Sequence, residues 1–200
     1  NHKECSESRW FSSASAVTES NIRLCGQLVP LGKNLLFDTA ETCFGIELGD
    51  DLWAPVPTSS TLALKGAEII FNLSASDEVT GKHEYLRSLI AQQSARCMAG
   101  YVYSSCGYGE STTDLVFAGK AFVAENGNIV TEGERFCLDA QLLCPEIDLD
   151  KLRMERRGNT TFATAQADLY PKATHVHTAP ITEKECTLTR NYSRLPFVPQ

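Results

Sequence analysis

The sequence has no long apolar run, since no uninterrupted stretch approaches the roughly 20 residues that a membrane-spanning helix needs. It also has no excess of positive charge: 18 Lys and Arg stand against 25 Asp and Glu, which gives a net charge of −7 at pH 7. An acidic chain is poorly suited to nucleic acid or to an anionic membrane surface, so neither partner is expected. The amino-terminal residues carry no signal-peptide pattern, and we therefore expect a cytoplasmic protein.

Paired Cys-x-x-Cys spacings are absent as well, although the chain has eight cysteines. Without such pairs a structural zinc site has no support, and without a secretion signal a disulfide framework is disfavoured. Because the cysteines fall within apolar segments, we expect buried free thiols in a reducing compartment. His175 and His177 form a His-x-His pair without further ligands near it in a polar stretch, which favours a solvated loop over a metal site.

What the chain does have is the composition of an ordinary globular domain, with 42% hydrophobic and 22% charged residues. Short apolar runs bounded by turn residues predict strands, and the order of strand, helix and strand in the first half of the chain indicates parallel pairing in an α/β fold. The predicted strands cover 22–25, 35–37, 43–48, 67–73, 101–105, 115–124, 129–131 and 142–149. Asn126-Gly127 predicts a hairpin between two of them.

Three helices are predicted from spacing and end signals. The first covers 61–65, with Ser59 or Ser60 as its N-cap and Gly66 as its stop. The second covers 81–99, with a buried face at helical spacing, and ends at Gly100. The third is a charged helix over 148–157, and from about residue 164 the polar, proline-containing sequence predicts an extended tail.

Several motifs in chain order resemble one protein family. They are 44–57 (FGIELGDDLWAPVP), 70–76 (IFNLSAS), 93–103 (QSARCMAGYVY), 109–117 (GESTTDLVF) and 153–162 (RMERRGNTTF). Together they are similar to the nitrilase-like, carbon–nitrogen hydrolase glutaminase domain of glutamine-dependent NAD(+) synthetases. The resemblance covers roughly residues 8–165 and corresponds to the C-terminal part of that domain.

The resemblance implies a fold and a domain organisation. The expected fold is an α-β-β-α sandwich, incomplete at its N-terminal side, made by residues 1–165. Residues 166–200 are then an extended tail or linker toward a synthetase domain. An incomplete sandwich exposes sheet edges and apolar surface, so we expect either poor solubility of the chain alone or association with another chain, as in a homo-oligomer.

The resemblance also implies a Glu–Lys–Cys set of catalytic residues that hydrolyses the side-chain amide of glutamine through a thioester. The released ammonia would pass to the synthetase domain, which converts ATP-activated deamido-NAD into NAD. ATP, Mg²⁺ and deamido-NAD are expected to bind there, and no cofactor is expected in this chain.

This sequence departs from the family pattern at the nucleophile. In the aligned motif the cysteine position holds Gly49, and the acid that follows is Asp50. Glycine has no side chain that can attack an amide, so we expect the chain to be inactive as a glutaminase. The glutamate base and the lysine of the family precede the segment that aligns with the start of this sequence, and no residue here is assigned to them.

The remaining candidate site residues are carried over from the same motifs. Glu4 matches a supporting glutamate, and His2 replaces a tyrosine that helps to hold glutamine. Ser76 and Lys82 fall where the family holds substrate glutamine, although a lysine in place of arginine loses the bidentate grip on a carboxylate.

Several alternatives stay open at this point. Gly49 can be a tight turn after a strand. Cys43 is too far to replace the nucleophile, because a strand over 43–48 places it about 20 Å away, and Cys106 is expected to be structural. The chain as a whole can also be a degenerate, non-catalytic module that serves assembly or binding, or another nitrilase-like amidase.

Overall fold

The structure is a computed structural model that describes residues 11–13, 16–168, 173–178 and 189–190. Its strands are β1 (Asn21–Leu24), β2 (Gln27–Pro30), β3 (Leu35–Asp38), β4 (Cys43–Leu48), β5 (Ile69–Ser74), β6 (Gly100–Ser105), β7 (Ala121–Glu125), β8 (Asn128–Glu132) and β9 (Thr174–His177). Its α-helices are α1 (Thr58–Leu64), α2 (Lys82–Cys97), α3 (Leu149–Gly158) and α4 (Thr160–Asp168).

Seven of the described strands form one sheet in the order β8-β7-β6-β5-β4-β3-β9. The three central strands β4, β5 and β6 are parallel. Antiparallel pairs join β3 to β4, β7 to β6 and β8 to β7. At the far edge, β9 runs parallel to β3. Strands β1 and β2 form a separate hairpin. Because the parallel strands end together, the loops that follow β4, β5 and β6 meet at one edge of the sheet.

Helices α1 and α2 cover one face of this sheet and enclose the core. The largest fully buried apolar side chains come from both layers: Leu36, Leu52, Leu62, Ile70, Leu86, Ile90, Tyr101, Tyr103, Phe122 and Leu152. The predicted buried face of α2 is confirmed, since Leu86, Ile90, Gln93 and Cys97 are all buried. Gly45 lets α1 approach β4 closely, because a Cβ at this position would lie 2.9 Å from Cδ1 of Leu62.

At the opposite edge, where the parallel strands begin, helix α3 binds the rest of the fold through two arginines. Arg156 donates to the carbonyl oxygens of Ala67, Cys97 and Met98 at 2.6, 3.0 and 3.0 Å, and so satisfies backbone groups just beyond α1 and at the end of α2. Arg153 holds Glu68 through two hydrogen bonds of 2.6 and 2.9 Å. The motif that predicts a charged helix therefore contains two structural anchors.

The other face of the sheet carries apolar side chains that the described residues do not cover. Along β4 the burial alternates, so that Glu47 is buried while Leu48 is 64% exposed, and Leu73 on β5 is 54% exposed. The ring of Phe44 contacts those of Phe37 and Phe71, at centroid distances of 5.2 and 5.3 Å. The described part thus consists of one helix layer and one sheet layer, which is the uncovered apolar surface that the family resemblance leads us to expect.

Most predicted elements are confirmed within a few residues, including the parallel pairing of β4 with β5 and the hairpin at Asn126-Gly127. The strand predicted over 142–149 is wrong. This segment has no regular structure before α3 begins at Leu149, and Pro145 lacks the N–H that a ladder needs. Ile147 instead packs against Gly100.

Two helix-end predictions are wrong. Helix α1 begins at Thr58, so Ser59 and Ser60 lie inside it and cap nothing. Buried Ser59 directs its N–H to Glu47 instead, at 2.8 Å. Helix α2 ends through Met98, whose backbone has a left-handed φ of +43°, and Gly100 opens β6.

The prediction of an extended tail needs correction as well. The predicted strand 22–25 forms a separate hairpin with β2, whereas 35–37 lies in the main sheet as β3. From residue 164 the expected tail in fact continues α4 to Asp168, and 174–177 pair with β3 as β9. The His-x-His pair therefore lies on a strand and not in a solvated loop. The division into a domain and a linker stays a prediction.

The six described cysteines are free, but the expectation that they are buried holds only for Cys97. Cys25 and Cys144 are exposed, and the others are partly buried. Within the described ranges, no helix combines the length and the apolar character that a membrane span requires.

Candidate functional site at the end of strand β4

The predicted nucleophile position, Gly49, lies at a sharp change of backbone direction. Strand β4 ends at Leu48, and Gly49 opens a 3₁₀ turn that runs to Trp53. Gly49 has a φ of +42°, in the left-handed region that side-chain-bearing residues adopt at a cost. A Cβ placed here would have Leu73 O and Ser74 Oγ as its nearest neighbours, both at 3.9 Å. The backbone is thus strained for a larger residue, yet there is room for a side chain.

A buried polar network holds the backbone of this turn. Asn72 is fully buried on β5, and its Nδ2 lies 3.3 Å from the carbonyl oxygen of Gly49, 3.3 Å from Oε2 of Glu47 and 3.0 Å from the hydroxyl of Tyr101. Tyr101 donates its hydroxyl to the same Glu47 oxygen. The N–H of Ser59 donates to the other carboxylate oxygen at 2.8 Å. Strands β4, β5 and β6 and helix α1 are therefore tied together directly beneath Gly49.

The electrostatics of the network keep Tyr101 protonated. Burial raises the pKa of the Tyr101 hydroxyl far above its usual value, and the neighbouring Glu47 carboxylate raises it further. The phenol is therefore a permanent donor to Glu47. This arrangement stabilises a carboxylate that is only 1% exposed and would otherwise be costly to bury.

The loop between β5 and α2 brings Ser76 and Lys82 to the same edge of the sheet as Gly49 and Asp50. Ser76 is buried, and its N–H donates to Oγ of Ser105 at 3.1 Å. Lys82 forms an ion pair with Asp77, and its Nζ lies 5.7 Å from the ring centroid of Trp53. The four predicted residues that the structure describes therefore lie at the ends of neighbouring elements on one edge.

The same loop is anchored by a buried ion pair that sequence analysis missed. Nζ of Lys120, which is 1% exposed, lies 2.9 Å from Oε2 of Glu78. The N–H of Glu78 also donates to the carbonyl oxygen of Val116 at 2.8 Å. Such a partner offsets the cost of burying the lysine charge, and the pair fixes the loop that carries Ser76 and leads to Lys82 at the start of α2.

Two predicted site residues lie outside the described residues, and three residues of the network were not predicted. His2 and Glu4 belong to the first group. Asn72 and Tyr101 belong to the second, together with Glu47, for which the sequence carries one usable signal: a glutamate between Ile46 and Leu48 in an apolar strand.

Three of the partly or fully buried thiols, those of Cys43, Cys97 and Cys106, lack the properties of a replacement nucleophile. Burial raises the pKa of Cys43 to about 12, with Asp38 adding to the effect, and burial raises the pKa of Cys97 to about 12 as well. The pKa of Cys106 is also raised by burial. Because the thiolate is the reactive form, these cysteines are expected to be inert.

A cleft elsewhere in the molecule also lacks a reactive thiol. It has a volume of about 500 Å³ and lies where α4 approaches the ends of α1 and α2, bordered by Ser60, Met98 and Phe162. Its cysteine is the inert Cys97. The chemistry of the family motif therefore points to the edge near Gly49 and not to this cleft.

The search against protein-family models found no match. Among curated proteins, the chain is 39% identical over 144 residues to the glutamine-dependent NAD(+) synthetase of Mycobacterium tuberculosis strain H37Rv, which covers 70% of this chain and 21% of that protein. It is 30% identical over 178 residues to the human glutamine-dependent NAD(+) synthetase, which covers 83% of this chain and 25% of that protein. The chain thus spans about a fifth to a quarter of the length of these relatives.

Solved structures show the same relationship at the level of the fold. A glutamine-dependent NAD(+) synthetase from Cytophaga hutchinsonii matches with a TM-score of 0.55 and 23% identity, over 64% of this chain and 20% of that chain. A carbon–nitrogen hydrolase from Helicobacter pylori G27 matches with a TM-score of 0.55 and 19% identity, over 66% of this chain and 48% of that chain. The chain belongs, by sequence, to the glutamine-dependent NAD(+) synthetase family, and it has the mixed α/β fold of carbon–nitrogen hydrolases.

Proposed function

We propose that this chain is the part of a glutaminase domain that carries the nucleophile position, and that Gly49 leaves it unable to hydrolyse glutamine. In the proposed parent reaction a thiolate attacks the side-chain amide carbon of glutamine, ammonia leaves, and water cleaves the thioester. Glycine offers only hydrogen at this position, so neither the attack nor the thioester is possible. The observation that carries the proposal is the place of Gly49 in the turn after β4.

The surroundings of Gly49 support the proposal. The turn places residue 49 at a strained strand end of the kind that presents nucleophiles in other hydrolases. The amide of Asn72 fixes its carbonyl oxygen, and the space around a Cβ is open to 3.9 Å. Ser76 and Lys82 at the same edge, with Asp50, are proposed to border bound glutamine, and His2 and Glu4 are proposed to complete its pocket.

The proposal extends to partners outside these residues. Ammonia from an active domain of this type would pass to a synthetase domain that binds ATP, Mg²⁺ and deamido-NAD. The exposed apolar face that includes Leu48 and Leu73 supports association with a further chain or domain. A homo-oligomer in the cytoplasm is the arrangement we propose.

A second candidate function is a non-catalytic module that keeps the fold for assembly. One observation favours it beyond Gly49 itself: Lys82, whose expected role is to hold the carboxylate of glutamine, is already paired with the carboxylate of Asp77 and lies over Trp53. A ligand carboxylate would have to compete with an internal one.

Restoring the thiol separates the two candidates. The protein encoded by the complete coding sequence around this chain is prepared with glycine, alanine or cysteine at position 49, and ammonia release from glutamine is measured. The alanine variant is the matched control, since it adds the same Cβ and backbone strain without sulfur. Ammonia from Gly49→Cys alone supports the disabled glutaminase. A folded Gly49→Cys protein that releases none supports the non-catalytic module.

A further inference from the structure

A second group of reactive side chains lies at the opposite end of β4 from Gly49. Strand β3 stands between β4 and β9, and its last residue, Asp38, is directly opposite Cys43 on one side and His177 on the other. His175 is opposite Leu36, two residues before Asp38. Because side chains alternate between faces with a period of two, all of these side chains project from the same face of the sheet.

The distances within this group are short. Nδ1 of His175 lies 2.8 Å from Oδ2 of Asp38, and Nδ1 of His177 lies 3.6 Å from the same oxygen. One potential ligand atom each from Asp38, Cys43 and His175 lies within 4.8 Å of the other two, and no other group of three such residues was found in the described ranges. The side chains of Asp38 and His175 are 24% and 46% exposed, so an ion could enter from solvent.

The donor types are those of a borderline-soft metal ion. A sulfur, an imidazole nitrogen and a carboxylate oxygen suit Zn²⁺ and its neighbours, whereas Ca²⁺ and Mg²⁺ prefer oxygen alone. Bond lengths of about 2.0–2.3 Å to a tetrahedral ion require ligand atoms roughly 3.5 Å apart. The 2.8 Å between Asp38 and His175 therefore has to open by about 0.7 Å, and the longest separation in the group, at most 4.8 Å, has to close to roughly 3.5 Å. Rotation of the half-exposed His175 ring can supply both changes.

We propose that Asp38, Cys43 and His175 bind one divalent transition-metal ion of the zinc type, with His177 or water as the fourth ligand. The ion would cross-link β9 to the end of β3 and the start of β4. Strand β9 has four residues at the edge of the sheet, and among the described strands it pairs with β3 alone, so such a cross-link would fix its register.

Binding of the ion must displace the proton of Cys43. Burial and the Asp38 carboxylate raise the pKa of that thiol to about 12 in the metal-free protein. A coordinated dication reverses this effect, because it stabilises the thiolate directly. Glu68 also raises the pKa of Cys43, whereas Arg156 lowers it, so these two nearby charges partly offset each other.

The test uses the 200-residue chain stripped of metal and titrated with Co²⁺ and then with Zn²⁺. We expect one Co²⁺ per chain with a sulfur-to-cobalt charge-transfer band, displacement of Co²⁺ by Zn²⁺, and a higher melting temperature with Zn²⁺. Cys43→Ser should abolish the band, and His175→Asn should weaken binding at least about tenfold. Cys144→Ser, which removes an exposed thiol, is the matched control and should change neither the charge-transfer band nor the affinity for Co²⁺.

The proposal is overturned if the unmodified chain binds no Co²⁺ with thiolate character. It is also overturned if Cys43→Ser and His175→Asn bind as tightly as the unmodified chain. In either case the hydrogen bond between His175 and Asp38 would account for the cluster without a metal. The proposal does not depend on the glutaminase assignment, since none of its ligands lies at the Gly49 edge.

Discussion

Replacing Asn72 by alanine should remove the link between the core of the sheet and the turn at Gly49. The Asn72 amide has two N–H groups, and three acceptors lie within 3.3 Å of it: Glu47, Gly49 and the Tyr101 hydroxyl. Alanine would leave the carbonyl oxygen of Gly49 without this donor and would take one donor from a buried carboxylate. The Tyr101 hydroxyl and the N–H of Ser59 would still hold Glu47.

The expected cost follows from the burial of these groups. A neutral hydrogen bond contributes about 0.5–1.5 kcal/mol, and one to a charged group about 1.5–3 kcal/mol. With two donors shared among three acceptors, Asn72→Ala should lower the free energy of unfolding by about 2–4 kcal/mol. Urea unfolding of the 200-residue chain, followed by circular dichroism, measures this change.

A matched control is Asn128→Ala, which removes the same side chain from an exposed strand position on β8. This change should stay within about 0.5 kcal/mol. The reasoning about the network would be refuted if Asn72→Ala cost no more than Asn128→Ala. A large loss of unfolding free energy in Asn72→Ala, together with an unchanged urea midpoint in Asn128→Ala, would support it.

Two further predictions concern the packing and the charges that hold the fold. Gly45→Ala should lower the free energy of unfolding by about 1–3 kcal/mol, because its Cβ would lie 2.9 Å from Cδ1 of buried Leu62. Gly32→Ala, which meets nothing within 4 Å, should leave thermal unfolding nearly unchanged, and equal effects of the two would contradict the packing argument. For Glu68, burial alone would raise the pKa, but the hydrogen bonds from Arg153 and Thr42 outweigh it and lower the pKa below the ordinary 4.5. The stability that Glu68 contributes is therefore full above pH 4.5 and lost as the pH falls through the lower folded-state value. Urea unfolding at a series of acidic pH values should show a shallower decline for Glu68→Gln, and an identical decline would count against this assignment.

The sequence predicts the centre of the fold well because the strongest local signals lie there. The apolar run 43–48 and the helical spacing over 81–99 correspond to β4 and α2 within two residues at each end. Asn126 and Gly127 both have positive φ, which explains why this pair so clearly predicts the hairpin. In each case local preference and tertiary packing favour the same structure.

The sequence fails where tertiary contacts decide the structure. Strand β9 has the sequence Thr-His-Val-His, which shows little of the apolar pattern that predicts a strand. It forms at the edge of the sheet because its backbone pairs with β3, and backbone pairing leaves no such pattern in the sequence. The apolar segment 142–149 looks like a strand but packs irregularly, with Ile147 against Gly100. The hydrogen bond between His175 and Asp38 joins residues that are 137 positions apart, and no local sequence pattern predicts such a contact.

The candidate site likewise has one part that the sequence predicts and one part that only the structure shows. The motif around Gly49 predicts a nucleophile position from sequence alone, because its residues are contiguous. The supporting network of Glu47, Asn72 and Tyr101 draws one residue from each of three parallel strands, so it becomes visible only when the strand register is known.

Ammonia release from glutamine by the purified 200-residue chain tests the central claim most directly. With glycine at position 49 there is no sulfur to form a thioester, and the cysteines whose thiols are partly or fully buried near the core, Cys43 and Cys97, are protonated at neutral pH. The account predicts no ammonia above the rate of spontaneous glutamine breakdown. Sustained release proportional to the concentration of the chain would contradict it.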